Sequence, residues 1–491
     1  MSEHIDHHCG VVAVVDLQGK RDVVADAILM AKELQHRGQL AWGRAGTSLH
    51  DGELWSRTNR GRVITTMEEA LRSDIPSASV IAHTRYATNL CMGMEHPVVV
   101  RDPQDRRHSI AFAFNGNIPD TSAQEEKLKQ ASVTVADHSD TEVIAQLIAQ
   151  RLRIMGHEQL PAVIRSLGEC DGAMNGVVLT GDGRIASYRD RHGFHPLVQA
   201  EHDGKFAIAS EDHAIRKVWP DCKKIEPVAP GEMFLAAPHS AVHHEQLWEP
   251  DRKHCFFEWT YFAKRFSTLD GTPVQRARYM WGEMLADLDK DWTEERLIVP
   301  VPDSAKLAAL GYADQSGQRY IDLMMRKSHD RTFIEPIGRD EKVRTKYQID
   351  PELVKGKTIV VVEDSIVRGT TMRGVIERLK REAQPAAIHL RIACPPITHE
   401  CYYGIDFKTP EELLVPKHTH LPLQEDGTLP LAVLESIARD LGVNSIRFLP
   451  QAAVAHGLQK STHELCMGCV TGHYPTANGR ALNGRKTLKV L

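Results

Sequence analysis

Residues 360–371 read VVVEDSIVRGTT. The valines continue an apolar run from Thr358 and Ile359, the pattern of a strand buried on both faces. The run stops at two carboxylates, Glu363 and Asp364. A loop with Ser365, Gly369, Thr370 and Thr371 then enters the helical stretch MRGVIERLKREA. Open α/β sheets bind ligands at the carboxyl ends of their strands. The free N–H groups and dipole of a helix start favour phosphate, and small hydroxyl side chains add donors. Paired carboxylates beside such a cradle can hold Mg²⁺ or accept hydrogen bonds from ribose hydroxyls. An acidic pair alone is more often a turn cap; the attached SIVRGTT decides for a phosphate site. The chain has no G-x-x-x-x-G-K-[ST] and no convincing G-x-G-x-x-G, which sets aside ATPase and dinucleotide readings.

Around this stretch strands and helices alternate. LIVPVPDS (297–304) runs into the helical KLAALGYADQ, and AIHLRIAC (387–394) follows the helix after the phosphate loop. The alternation predicts a parallel, doubly wound sheet from about Arg296. The first half differs. Gly10 to Val15, SVIAHTRY and IAFAFNG read as strands, Asp22 to Leu34 as a helix, and VVLTGDGRIASY as a hairpin around Gly-Asp-Gly. That is an antiparallel α+β domain. Residues 239–265 read as a connector carrying its own helix or strand, and the chain after Gly457 as a polar tail.

At 491 residues the chain has room for two to four domains. A net charge of -5 argues against a nucleic-acid coat. No stretch approaches the ~20 apolar residues of a membrane span, and the His-rich start lacks the pattern of a secretory signal. Nine cysteines are too sparse for a disulfide scaffold. The expectation is a reducing compartment, the cytoplasm, with clustered cysteines serving metal or catalysis.

One cysteine stands alone in IDHHCGVVAVV (5–15). Cys9 can be a buried thiol, a ligand with His7 and His8, or a nucleophile. Adjacent residues rarely converge on one ion, so the metal reading is the weakest. From Cys9 alone, a buried thiol is the commoner case.

The motifs taken in order resemble one family. VVVEDSIVRGTT is similar to the phosphoribosyl-diphosphate loop of type I phosphoribosyltransferases, and specifically of the amidophosphoribosyltransferases. VPDSAKLAALGYA, RTFIEP and CYYGID extend the resemblance. In the first half so do CGVVAVV, LQHRGQ, HTRYAT, FNGNI and SDTEV. It implies an α+β N-terminal-nucleophile glutaminase domain with antiparallel sheets between helices, then an α/β phosphoribosyltransferase domain with a parallel sheet. The expected division is a propeptide 1–8, a class II glutamine amidotransferase domain 9–240, a phosphoribosyltransferase domain 255–455 and a tail 456–491.

The resemblance makes Cys9 the nucleophile, exposed by loss of residues 1–8. A thiol of pKa about 8.5 then has an α-amine of pKa about 8 beside it as base. It gives Arg85 the glutamine α-carboxylate, Asp140 the α-ammonium, and Asn115 and Gly116 the oxyanion hole. Ser139 and Glu142 have capping-box spacing, which puts Asp140 in a first helical turn. Phosphoribosyl diphosphate falls to Asp303, Ser304, Arg331, Glu363, Asp364, Ser365, Arg368, Gly369, Thr370 and Thr371. Mg²⁺ falls to Ser304, Glu363 and Asp364, where the family usually has two aspartates.

Cys466 and Cys469 form a C-x-x-C outside any βαβ unit, which favours metal over redox chemistry. In one branch of the family four cysteines hold a [4Fe–4S] cluster, and the matching positions are Cys255, Cys401, Cys466 and Cys469. Zinc with four cysteines is the rival. Cys91, Cys170, Cys222 and Cys394 read as ordinary buried thiols.

Departures from the family occur at Leu40, Trp42, Asn89 and Leu90, in YFAKRFS, and in MMRKSHDRTFI, which lacks the usual Tyr and Gly. The implied activity makes 5-phosphoribosylamine, glutamate and diphosphate from glutamine, phosphoribosyl diphosphate and water, the entry step of purine synthesis. It further implies inhibition by purine nucleotides and a homo-oligomer, with neither nucleic acid nor membrane as partner. The alternatives are a paralogue that aminates a related phosphosugar and a phosphoribosyl-diphosphate sensor, which would have no use for Cys9, Arg85, Asn115 and Asp140.

Overall fold

The computed structural model describes residues 9–85, 96–326 and 347–490, apart from 406, 408, 420, 422, 425 and 426. The expected propeptide, Asn89, Leu90, Arg331 and the motif RTFIEP lie outside the described residues.

In the first half two antiparallel sheets lie face to face. The strand Gly10–Asp16 runs between Ser77–Arg85 and Lys205–Ala209 in a seven-stranded sheet. Ile110–Asn117 runs between Val98–Val100 and Ala173–Thr180 in a six-stranded sheet. Side chains alternate across a strand, and that alternation sorts the core. Val11, Ala13 and Val15 meet Ala111, Ala113, Val177 and Leu179 between the sheets. Val12 and Val14 face outward against the helix Val24–Glu33. On the second sheet Phe112, Phe114 and Val178 face the helix Asp140–Met155. The result is helix, sheet, sheet, helix, with a narrow inner layer of small and branched residues.

The second half holds a five-stranded sheet in which Leu297–Pro300, Thr358–Glu363, Ala387–Ile392 and Ser445–Phe448 pair in parallel. Ile359 to Val362 are wholly buried, as a strand covered on both faces must be. The helix after the phosphate loop begins at Thr370, two positions before MRGVIERLKREA. It is α-helical to Arg378 and widens to a π-turn over Leu379–Ala383. Gly369 precedes it at φ 82°, a left-handed conformation open to glycine.

The segment read as a connector is built into both halves. His243–Gln246 adds the edge strand of the second sheet. His254–Cys255 then pairs in parallel with Leu465–Cys466, so the stretch read as a polar tail is folded against it. A helix, Ala477–Val490, closes the described chain.

Candidate functional site

Strand alternation assembles the first site. Cys9 stands one position before Gly10–Asp16 and continues the row of Val11, Ala13 and Val15 that faces the layer between the sheets. Arg85 ends the neighbouring strand on the face of Ile81 and His83. Asn115 follows Ala111 and Ala113 on the opposing sheet. Asn115 is 1% exposed, and its Nδ2 has no hydrogen-bond partner among the described residues. A buried donor left open is costly, and it suits an oxygen that becomes negative during reaction. Gly116 comes next. A Cβ there would lie 2.0 Å from the Ala173 carbonyl oxygen, so only glycine allows this approach of the two strands.

Asp140 opens its helix behind Ser139, whose hydroxyl accepts the Glu142 N–H at 3.2 Å. The reciprocal half of the expected capping box is replaced. The Ser139 N–H goes to Asp137 at 2.9 Å, and Glu142 binds Gln146. The Asp140 carboxylate turns back to accept the N–H groups of Ile118 at 3.0 Å and Thr141 at 2.7 Å. Burial raises its pKa; those N–H groups and the charge of Arg85 pull the other way. One cation and one anion within each other's field match the two ends of an amino-acid zwitterion. His83 Nε2 lies 3.0 Å from the Phe114 carbonyl. Burial, with the charge of Arg85, holds His83 down at about 3, so neutral His83 donates that bond and ties the strand of Arg85 to the strand of Asn115.

Sequence reasoning missed what lies behind Cys9. Arg37 is fully buried; its Nε donates to the Cys9 carbonyl at 3.3 Å and its Nη1 to Glu211 at 2.7 Å. Its Nη2 donates to both oxygens of Glu258, at 2.8 and 3.0 Å. Burial opposes the charge, yet the two glutamates hold Arg37 above its ordinary pKa. Glu258 belongs to a π-turn, Glu258–Phe262, inside the connector. Arg37 thus ties the backbone of Cys9 to the connector through Glu258. The only signal for Arg37 was its place in LQHRGQ, and Glu258 carried none.

The second site is local. Thr358–Glu363 ends at its acidic pair, and the Ser365 hydroxyl donates to Asp364 at 2.6 Å. The hydroxyl of Ser304 donates to the other oxygen of Asp364, which draws the loop before helix Lys306–Ser316 onto the phosphate loop. Asp303 beside it is exposed. Arg368 pairs with Glu412 at 2.9 Å. Thr370 and Thr371 occupy the first turn of their helix, where backbone N–H groups have no intrahelical acceptor. Ser304, Glu363 and Asp364 supply hard oxygen donors, which suits Mg²⁺ bound through one or two carboxylates with substrate phosphates completing the shell.

Comparison with known proteins agrees with both halves. The family profile described as glutamine amidotransferase domain matches residues 83–217. The amidophosphoribosyltransferase of Pyrococcus horikoshii is 33% identical over 90% of this chain and 92% of its own length. That of Bacillus subtilis is 31% identical, covering 96% and 95%.

The chain belongs to the amidophosphoribosyltransferase family.

Its fold is that of the family. The B. subtilis glutamine phosphoribosylpyrophosphate amidotransferase, solved with ADP and GMP, superposes with a TM-score of 0.82 at 31% identity, over 95% of this chain and 97% of that one. The amidophosphoribosyltransferase architecture is therefore an N-terminal-nucleophile glutaminase joined to a phosphoribosyltransferase. No helix among the described residues is long and apolar enough to cross a membrane.

In this member of the amidophosphoribosyltransferase family the four expected cysteines meet. Cys255, Cys401, Cys466 and Cys469 line one cavity with Phe194, His195, Tyr403 and Tyr474. The space enclosed among them is small, about 10 Å³. Cys255 and Cys466 are register partners in the short parallel pair. Burial raises all four thiols, Cys466 to about 12, so they remain protonated unless something cationic enters. No three His, Cys, Asp or Glu side chains among the described residues are grouped as a single ion needs. Four thiols around one apolar-walled cavity are the donor set of an iron–sulfur cluster and equally of a four-cysteine zinc site. The cavity also touches the first site. Asn117 Nδ2 donates to the Tyr402 carbonyl at 2.8 Å, and His195 lies 3.1 Å from Glu258 and 2.8 Å from the Tyr403 carbonyl.

Proposed function

We propose that the chain joins glutamine hydrolysis at Cys9 to phosphoribosylamine formation at the loop 363–371. What carries this reading is strand register and alternation, which put Cys9, Arg85 and Asn115 on the sheet faces that form the inner layer, with Asp140 in the field of Arg85. Arg85 takes the α-carboxylate as a charge-assisted pair and Asp140 the α-ammonium. The Cys9 sulfur attacks the carboxamide carbon, with its own α-amine as base once residues 1–8 are removed. Negative charge on the carbonyl oxygen goes to Asn115 Nδ2 and the Gly116 N–H. Ammonia leaves, and water cleaves the thioester to glutamate. The ammonia passes inside the protein to the ribose carbon of phosphoribosyl diphosphate and displaces diphosphate. The helix start at Thr370 and Thr371 holds phosphate. Asp364 and Glu363 orient the ribose. Mg²⁺ held by Ser304, Glu363 and Asp364 would neutralise the departing diphosphate.

Four thiols in one apolar cavity support a [4Fe–4S] cluster as a structural group. The same reading includes a cytoplasmic homo-oligomer inhibited by purine nucleotides; the B. subtilis relative was solved with ADP and GMP. The deciding experiment measures phosphoribosylamine formed from glutamine and phosphoribosyl diphosphate, with intact mass on the same active sample. Product should form, and the active chain should begin at Cys9. Activity in a chain that still carries Met1 would overturn the role of the α-amine.

A further inference from the structure

Asn175 has no part in the reaction as drawn so far. It pairs directly with Asn115 across two neighbouring strands of the second sheet. Directly opposed residues of antiparallel strands share a face, with Cβ atoms about 5 Å apart. Asn175 therefore stands in the inner layer beside Asn115. It is fully buried, and its Nδ2 donates to the carbonyls of His195 at 3.2 Å and Pro196 at 3.1 Å. Two carbonyl acceptors on one end identify that end as the nitrogen. The oxygen, Oδ1, then has no partner among the described residues, and neither has Asn115 Nδ2. A buried acceptor and a buried donor are left open on register neighbours, and buried polar groups are rarely left so.

The anchor of Asn175 is stiff. The His195 carbonyl also accepts Arg189 Nε at 2.8 Å, and Arg189 is the register partner of Asn175 on its other side. The Nη atoms of Arg189 bind Asp270 at 2.7 and 3.0 Å. Asn175 is therefore the fixed member of the pair.

We propose that Asn175 is a positioning residue for amide transfer: with glutamine bound, its Oδ1 accepts one N–H of Asn115 Nδ2 and so aims the other at the carbonyl oxygen under attack. A primary amide nitrogen has two N–H groups, so one bond to Asn175 still leaves one for the oxyanion. A donor fixed by a third group needs no reorientation as charge develops. The inference rests on the reading of Cys9 and Asn115 given above.

The test is glutamine hydrolysis by the full chain with Cys9 exposed, in Asn175→Ala, Asn115→Ala and the double variant. Asn175→Ala should lower kcat on the order of tenfold, short of the 10²–10³ that loss of a donor itself costs. KM for glutamine should hold, because Arg85 and Asp140 are untouched. In the Asn115→Ala background the Asn175 change should add nothing, since it acts only through Asn115. Ammonia-dependent synthesis at the second site reports folding; if Asn175→Ala does not fold, Asn175→Ser is run through the same cycle. Losses that multiply in the double variant, or a loss carried by KM, would overturn the proposal. So would full activity in Asn175→Ala while Asn115→Ala is impaired, which leaves the oxyanion hole standing. Full activity in Asn115→Ala would remove the oxyanion assignment and this proposal with it.

Discussion

The two sites of this chain are built in opposite ways. Most of the phosphate site lies within one stretch, Glu363 to Thr371, where a strand end, a loop and a helix start follow each other, and Ser304 joins it from a neighbouring loop. The amide site draws on Cys9, Arg85, Asn115 and Asp140, from three strands and a helix. The first is assembled largely by local geometry. The second exists only when two sheets stack in the correct register, since a shift of one residue would turn each side chain to the other face. A contiguous site is robust to movements between elements, and a dispersed one is sensitive to them.

The largest test of this contrast is Cys9→Ala. Glutamine-dependent synthesis should fall by about 10⁴ or more, as when a nucleophile is removed, while synthesis from free ammonia persists. Equal loss of both activities would show that the sites cannot be separated. Next, Asp364→Asn should lower both activities by about 100-fold, because it removes a charge at the shared product-forming site. Retained ammonia-dependent activity there would break the assignment.

Asp140→Asn should raise KM for glutamine by roughly 10–100-fold, the worth of one charge-assisted hydrogen bond, with ammonia-dependent synthesis unchanged. The pH dependence has a definite sign. Asp140 must be ionised to hold the α-ammonium, and burial raises its pKa. KM should therefore rise as pH falls through a value above the ordinary carboxylate range. The variant should lose that acidic limb; a limb that stays belongs to another group.

The smallest expected effect tests whether the dispersed site feels its surroundings. Cys401 precedes Tyr402, whose carbonyl binds Asn117 on the strand of Asn115. Protein purified without oxygen should carry about four irons per chain. Cys401→Ser should lose iron and lower glutamine-dependent activity a few-fold more than ammonia-dependent activity, a modest loss of alignment. Equal losses would mean the cavity supports the whole fold and not the amide site in particular.

This contrast also explains what the sequence disclosed. The apolar run 359–362 and the small residues after it announce a parallel strand and a helix start, because burial on both faces and a left-handed Gly369 are local demands. The apolar runs in Gly10–Asp16 and Ile110–Asn117 predict strands as well. They do not say that Asn115 faces Cys9, which depends on how separate sheets stack. Arg37 and Glu258 lie far apart in the chain, and a buried ion pair between them leaves no spacing to read. The capping box at Ser139 was half legible. Its hydroxyl does cap, but Asp137 competes for the Ser139 N–H at closer range. The connector 239–265 does carry strands, but His243–Gln246 and His254–Cys255 are too short for alternation to place them.

The pairing of His254–Cys255 with Leu465–Cys466 sets an order of assembly. A ribosome delivers the first half, then the parallel sheet, and only near the end the strand that completes the thiol cavity. Domains fold as they emerge, so both halves can be compact while Cys255 and Cys401 still wait. Whatever fills the cavity must be loaded onto a nearly finished protein, and a chain broken off before Leu465 would leave those two thiols without a lid.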